Sequence, residues 1–252
     1  MFLITVLVFL IFSRYGNSQT TQISGDLGII GGHKVSIEQV PYIASLRLNG
    51  TRHFCGCSII HERFVLTAAH CIFRDRMYKV LVGTDKVDKG GKLYDVEKIL
   101  VHQMYSNKTF QNDICILKLN DTLNFGLKVN KIDLKDKSIR LRKGMMMDTA
   151  GWGSTMPNQT VSTSLQQVQV PMVPRPSCQR YYNKNYKITS RMICAGGHGK
   201  DSCMGDSGGP LTYKNAQVGI TSFGAGCGIA PGVYTKVSSL LHWIKQTIDQ
   251  NL

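Results

Sequence analysis

The sequence predicts an all-β protein that ends in one helix, on three observations. Short apolar runs rich in Val, Ile, Leu and Tyr recur along the chain, turn residues separate them, and helical spacing appears only at the end. In order, the runs are Tyr42–Leu48, Phe54–Ile60, Tyr78–Val82, Ile114–Leu119, Leu165–Val170, Val218–Phe223 and Gly232–Val237. Each is too short for an ordinary helix and rich in residues that fit a pleated surface, so each is read as a strand. Beyond Val237 the pattern changes. Leu240, Leu241, Ile244 and Ile248 fall on one helical face, behind Ser238 and Ser239 as expected caps. Residues 29–252 suffice for one large β unit or for two small barrels sharing an interface. The sequence has no tandem repeat, no low-complexity tract and no glycine loop of the kind that cradles phosphate.

The ends and the composition narrow the setting. Met1–Phe12 is almost wholly apolar, too short to span a bilayer, and gives way at Ser13 to small and polar residues. It reads as a secretory signal peptide cleaved after Ser18, so the product is expected outside the cell or in a secretory granule, as a soluble monomer. No other stretch is long enough to span. The 8 cysteines are then expected in disulfides, and none has the Cys-x-x-Cys spacing of a zinc site. A net charge of +14 implies attraction to acidic partners, with basic residues gathered between Lys128 and Lys143 and further ones at Arg74, Arg76 and Lys79. No aromatic interleaving points to nucleic acid.

Three segments carry chemistry. Cys203-Met204-Gly205-Asp206-Ser207-Gly208-Gly209-Pro210 sets a serine among glycines, Leu66-Thr67-Ala68-Ala69-His70-Cys71 supplies a histidine, and Asn112-Asp113-Ile114-Cys115-Ile116-Leu117 opens an apolar strand with an aspartate. Serine is a poor nucleophile until a base takes its proton, and the base works best when a third group fixes its tautomer. Taken singly, each residue is more often structural. Together, in the order His70, Asp113, Ser207, they resemble the chymotrypsin/trypsin family of serine endopeptidases, nearest in pattern to invertebrate trypsin-like proteases. The resemblance covers Ile29–Leu252.

The resemblance implies two six-stranded antiparallel barrels packed face to face, the first over about 29–130 and the second over about 131–252, with a connector near Lys128–Lys143 and the C-terminal helix at the end. It implies a zymogen, in which residues 19–28 are an activation propeptide and the ammonium of Ile29, once freed, pairs with Asp206. The N–H groups of Gly205 and Ser207 would form the oxyanion hole. Asp201 would be the floor of the primary pocket, selecting Arg or Lys, with Ser202 at its base, Gly224 and Gly232 as walls without side chains, and Ser222 on the strand that pairs with substrate backbone. Phe110 and Phe223, the latter where the family has tryptophan, would wall the residues before the cut. Bridges are implied for Cys55–Cys71, Cys178–Cys194 and Cys203–Cys227. Cys57 and Cys115 remain over, with two readings open: a fourth bridge, or two unreactive buried thiols.

Two departures from the family pattern stand out. Gly28 precedes Ile29 where Arg or Lys is expected, which calls for an activating protease of non-tryptic specificity, for stepwise trimming of the propeptide, or for a chain that stays a zymogen. The loop Thr84–Tyr94 carries lysines at 86, 89 and 92 where vertebrate trypsins hold calcium, so neither a metal nor another cofactor is expected. Sequons at Asn49, Asn107, Asn120 and Asn158 permit N-glycosylation of a secreted chain. The expected function is a secreted trypsin-like endopeptidase acting on protein or peptide substrates after Arg or Lys, with protease inhibitors and acidic glycans as further partners. The alternative is a catalytically silent protein or toxin on the same scaffold, acting through its basic surface.

Overall fold

A computed structural model describes residues 29, 31–136, 138–154, 161–182, 186–197 and 199–252. The expected leader and propeptide (residues 1–28) and the sequon at Asn158 lie outside the described residues. The strands of the first half are β1 His33–Lys34, β2 Ile43–Leu48, β3 Arg52–His61, β4 Phe64–Thr67, β5 Tyr78–Val82, β6 Lys92–Val101 and β7 Cys115–Leu119. β2 to β7 close an antiparallel barrel in the order β2-β3-β4-β7-β6-β5. β8 Asp133–Leu134 lies in the connector and pairs in parallel with a strand of the second half.

The second half contributes β9 Met146–Gly151, β10 Gln166–Val173, β11 Met192–Ala195, β12 Pro210–Tyr213, β13 Ala216–Phe223 and β14 Gly232–Lys236. They pair in the order β10-β11-β14-β13-β12-β9, and β9 pairs back to β10, so this barrel also closes. Closure leaves no free edge on either barrel. Helix α1, Arg175–Tyr182, joins β10 to β11, and α2, Leu241–Asp249, ends the chain.

Each expected strand and the terminal helix is present within a few residues. The expected caps are not. Ser238 and Ser239 lie in a 3-10 turn, Val237–Ser239, and no side chain caps α2. A backbone bond from Leu240 N–H to the Val237 carbonyl, 2.9 Å, stands in their place.

The chain exchanges its ends between the barrels. β1 pairs with β10, and Ile29, fully buried, packs among Met147, Val170 and Tyr234 of the second core. β1 and Ile29 thus reach across to the second barrel, where this apolar anchor finds its partners. Burying the Ile29 side chain stabilises that seat by about 2 kcal/mol. At the other end, Leu240 and Ile244 join the core of the first barrel. Between the barrels, Ser58 Oγ donates to Gln217 Oε1 at 2.7 Å, Thr235 Oγ1 to the Asp113 carbonyl at 2.9 Å, and Gly56 N–H to the Ser207 carbonyl at 2.8 Å. These links cross at the cleft and fix the loops that line it.

Candidate active site

His70 sits in a 3-10 turn, Ala69–Cys71, directly after β4, and the Cys55–Cys71 bridge ties that turn to β3. Asp113 precedes β7. The chain enters it through Phe110 and Asn112, both at φ of 53°, a conformation that L residues rarely hold without support. Support comes from the Asn112 side chain, which donates to the Met104 carbonyl at 3.0 Å and accepts from Arg191 at 2.7 Å. Asp113 is fully buried, yet its carboxylate is satisfied. Oδ1 accepts the His70 backbone N–H at 2.9 Å, while Oδ2 lies 2.8 Å from His70 Nδ1 and accepts the Ser222 hydroxyl at 2.5 Å. A carboxylate at Nδ1 holds the proton there and leaves Nε2 as the acceptor.

Ser207 lies in the loop between β11 and β12 and lines one pocket with Ser222, the residue whose hydroxyl bonds Asp113. Gly208 N–H donates to the Thr221 carbonyl at 2.8 Å and Thr221 N–H to the Gly209 carbonyl at 2.9 Å, which fastens the loop to β13. Gly208 has φ of 79°, and a Cβ there would lie 2.2 Å from Thr67 Oγ1, so only glycine allows the approach of the two barrels at this point. The Met204 carbonyl accepts Ser154 N–H at 2.6 Å. Among the described residues, the N–H groups of Gly205 and Ser207 have no acceptor.

Asp206 holds this loop together with Gly151, Gly153, Ser45 and His53, which the sequence did not single out. Asp206, 1% exposed, receives Gly153 N–H on Oδ1 at 2.8 Å and Cys203 N–H on Oδ2 at 2.9 Å. Burial pushes its carboxyl up to about 6, against these two hydrogen bonds. Gly151 and Gly153 make the room: a Cβ would stand 2.1 Å from Oδ1 at the first and 2.2 Å from Oδ2 at the second. His53 Nε2 lies 3.0 Å from the Gly205 carbonyl, and its Nδ1 lies 2.8 Å from Ser45 Oγ. Burial lowers His53 to about 4, so the ring is neutral, with Nε2–H donating to the carbonyl and Nδ1 accepting from the serine. The Gly-x-Gly of residues 151–153 and a histidine two residues before Cys55 were the available signals.

The primary pocket, about 140 Å³, opens beside Ser207 and is lined by Asp201, Ser202, Ser222, Gly224 and Gly232 among others. The structure thus brings together every pocket residue expected from the sequence. The bridge Cys203–Cys227 joins its walls. Ser202 Oγ lies 3.1 Å from Tyr234 Oη at the base. Asp201 is 2% exposed; Oδ2 accepts Gly228 N–H at 3.1 Å, but Oδ1 has no partner among the described residues. Burial, the main cause, raises its carboxyl to about 7, and the charge of Asp206 adds to the rise. A Cβ at Gly232 would stand 2.9 Å from that unpartnered oxygen, and one at Gly224 would meet nothing. The first position protects the carboxylate and the second keeps the mouth open.

Next to this mouth, a cavity of about 310 Å³ is walled by Phe110, Tyr182, Tyr186 and Phe223. The rings of Phe110 and Phe223 lie 5.1 Å apart and those of Tyr186 and Phe223 5.2 Å, while Phe110 meets His70 at 6.0 Å. The tyrosines, on or just after α1, extend the wall expected from the two phenylalanines. Bridges Cys55–Cys71, Cys178–Cys194 and Cys203–Cys227 are all formed. Cys57 and Cys115 are buried free thiols on β3 and β7, which β4 separates, and burial pushes both thiols far above their ordinary range. Of the two readings, the inert thiol is the one present. Asn49, Asn107 and Asn120 are exposed, open to a glycan. A donor cluster of metal type, Cys55, His70 and Cys71, is no metal site, because both sulfurs are in one bridge.

Residues 29–244 match the Trypsin family. Over 223 residues the chain is 38% identical to Trypsin 5G1 of Aedes aegypti, covering 86% of this chain and 84% of that one. It is 38% identical to the Vitellin-degrading protease of Bombyx mori over 92% of this chain and 89% of that protein, and 38% identical to Cationic trypsin-3 of Rattus norvegicus over 88% and 90%. Among solved structures, neuropsin, a serine protease expressed in the limbic system of mouse brain, superposes with a TM-score of 0.81 at 33% identity, over 87% of this chain and all (100%) of that one.

Proposed function

The chain belongs to the trypsin family of serine proteases, and from that premise we propose that it is a secreted endopeptidase cutting after Arg or Lys, made as a zymogen and switched on at Ile29. In this reading Ser207 Oγ attacks the carbonyl carbon and its proton passes to His70 Nε2. Asp113 holds Nδ1–H in place and stabilises the imidazolium. The N–H groups of Gly205 and Ser207 receive the negative oxygen of the tetrahedral intermediate, each worth about 3 kcal/mol. His70 then returns the proton to the departing amine, and water repeats the sequence in reverse to free the acyl group from Ser207.

The observation that carries the specificity is Asp201 Oδ1, a buried carboxylate oxygen without a partner among the described residues, on the lining of the pocket beside Ser207. Desolvation makes such an oxygen costly until a cation reaches it, and a guanidinium or ammonium from the substrate is the group of matching length and charge. The silent-scaffold alternative is not favoured, since His70 and Asp113 are bonded as the chemistry requires. Secretion fits three bridges and, among the described residues, no helix long and apolar enough to cross a membrane. Asp206 is proposed as the partner of the Ile29 ammonium after cleavage behind Gly28 by a protease that is not tryptic.

The test is a matched set of Arg, Lys, Phe and Ala ester substrates offered to the chain beginning at Ile29. Arg and Lys should exceed Phe in kcat/KM by roughly 10⁴-fold, and Asp201→Ser should erase that preference. A wild-type preference for Phe or Leu would overturn the pocket assignment.

A further inference from the structure

At the far end of β14 from the primary pocket, four residues beyond Gly232, the connector, β10, β11 and Lys236 enclose a second cavity of about 390 Å³. Its rim carries Arg140, Arg175 and Lys236, and its floor is apolar, with Leu141, Met172 and Ile193. An adjoining small recess shares Leu141, Ile193 and Lys236 and adds Lys135. Three cations thus gather around the cavity and a fourth lines the recess beside it. Among the described residues none of the four has an ion pair or a side-chain hydrogen bond, although Lys86, Lys79, Lys118 and Arg63 elsewhere on the surface all have theirs. The carboxylate lining the recess, Asp136, accepts both the N–H and the hydroxyl of Ser138 and lies in the field of Lys135 and Lys245.

Like charges held together around a concave surface repel, and an anionic ligand relieves that repulsion while gaining field from all of them. The floor narrows the choice of ligand. A sulfated glycan would satisfy the rim and leave the apolar floor hydrated, whereas a peptide can do both. We propose that this cleft is a docking site for an acidic peptide segment, in which two or three Asp or Glu side chains meet Arg140, Arg175, Lys236 and Lys135 around one branched or aromatic side chain seated on Met172 and Ile193. The site is separate from the chemistry at Ser207, so it does not depend on the specificity proposed above.

The experiment is fluorescence anisotropy at physiological salt with a labelled, acetylated peptide of four Asp or Glu residues around a Leu-Phe pair, which contains no Arg or Lys. The peptide should bind the whole chain. The double substitution Arg140→Glu and Arg175→Glu, at two exposed positions, should weaken it at least about tenfold without moving the thermal midpoint. Arg140→Ala with Arg175→Ala should give an intermediate loss. A companion peptide with Ser-Ser for Leu-Phe should bind about fivefold or more weakly, in proportion to the apolar area lost. Equal binding of the two peptides, or binding indifferent to the charge reversal, would overturn the proposal. So would a sulfated oligosaccharide that binds in a reversal-sensitive way where the acidic peptide does not.

Discussion

The two halves of the cleft reach their working geometry by different means. On the first-barrel side, Asp113 is buried with a donor for each carboxylate oxygen, and His70 is fixed through both its backbone and its ring. This half is complete within the chain. On the second-barrel side, the loop 201–209 holds two buried carboxylates, Asp201 and Asp206, both pushed up by burial, one of them with an oxygen that has no partner among the described residues. In the proposed function this half awaits cations. The substrate would bring one and the Ile29 terminus the other. In the proposed reading activity is conditional where the pocket and the oxyanion turn are built, and the catalytic pair needs no such completion.

The largest effect comes from removing chemistry itself: Ser207→Ala should lower kcat by about 10⁶-fold with an unchanged fold, as measured by active-site kinetics and circular dichroism. Breaking the complete half should cost less. Asp113→Asn puts an amide against His70 Nδ1, favours the wrong tautomer and should lower kcat by about 10⁴-fold. A variant that retained most of its rate would show that the carboxylate does not hold the ring.

Weakening the conditional half without touching a reacting group is subtler. Gly153→Ala sets a methyl 2.2 Å from Asp206 Oδ2 and should shift the loop carrying Gly205, lowering kcat about 10²-fold with the His70–Asp113 pair intact. Proton NMR of the Nδ1–H resonance separates the two regions, since it should persist in Gly153→Ala and be altered in Asp113→Asn.

The pH dependence of ligand affinity sharpens the contrast further. The folded Asp201 carboxyl sits near 7, above its ordinary 3.8, so it is protonated below that value and must lose its proton to receive a cation. The affinity for a small amidinium should therefore fall about tenfold per pH unit below about 7 and level off above it, with no such slope in Asp201→Ser. Inhibition constants measured across that range, flat in the wild type, would place the cation elsewhere.

How much of this was legible follows the same division. The motifs around His70, Asp113 and Ser207 exposed the chemistry because side-chain identity carries it, and Asp201, Gly224 and Gly232 exposed the pocket for the same reason. Gly151 and Gly153 act by giving the Asp206 side chain room, and His53, oriented by Ser45, by bonding the Gly205 carbonyl; both contacts with the loop join segments far apart in sequence, which no local pattern records. Among the elements, β6 escaped notice because it is largely exposed and mixes Lys92, Asp95, Glu97 and Lys98 with its apolar residues. α1 carries Pro176 and several polar residues and is held by the bridge from Cys178 rather than by an apolar stripe. The buried strands β4 and β11, four residues each, are too short to show a period.

The most direct test of the conditional half compares one Arg ester on two forms of the chain, the precursor still carrying residues 19–28 and the product beginning at Ile29, with terminal sequencing of both. The expected result is a rise in kcat/KM on release of Ile29 of at least about 10²-fold, the scale set by loss of one oxyanion donor. The Nδ1–H resonance of His70 should be the same in both forms. Full activity in the uncut precursor would contradict the account, because Asp206 would then need no ammonium to set the loop.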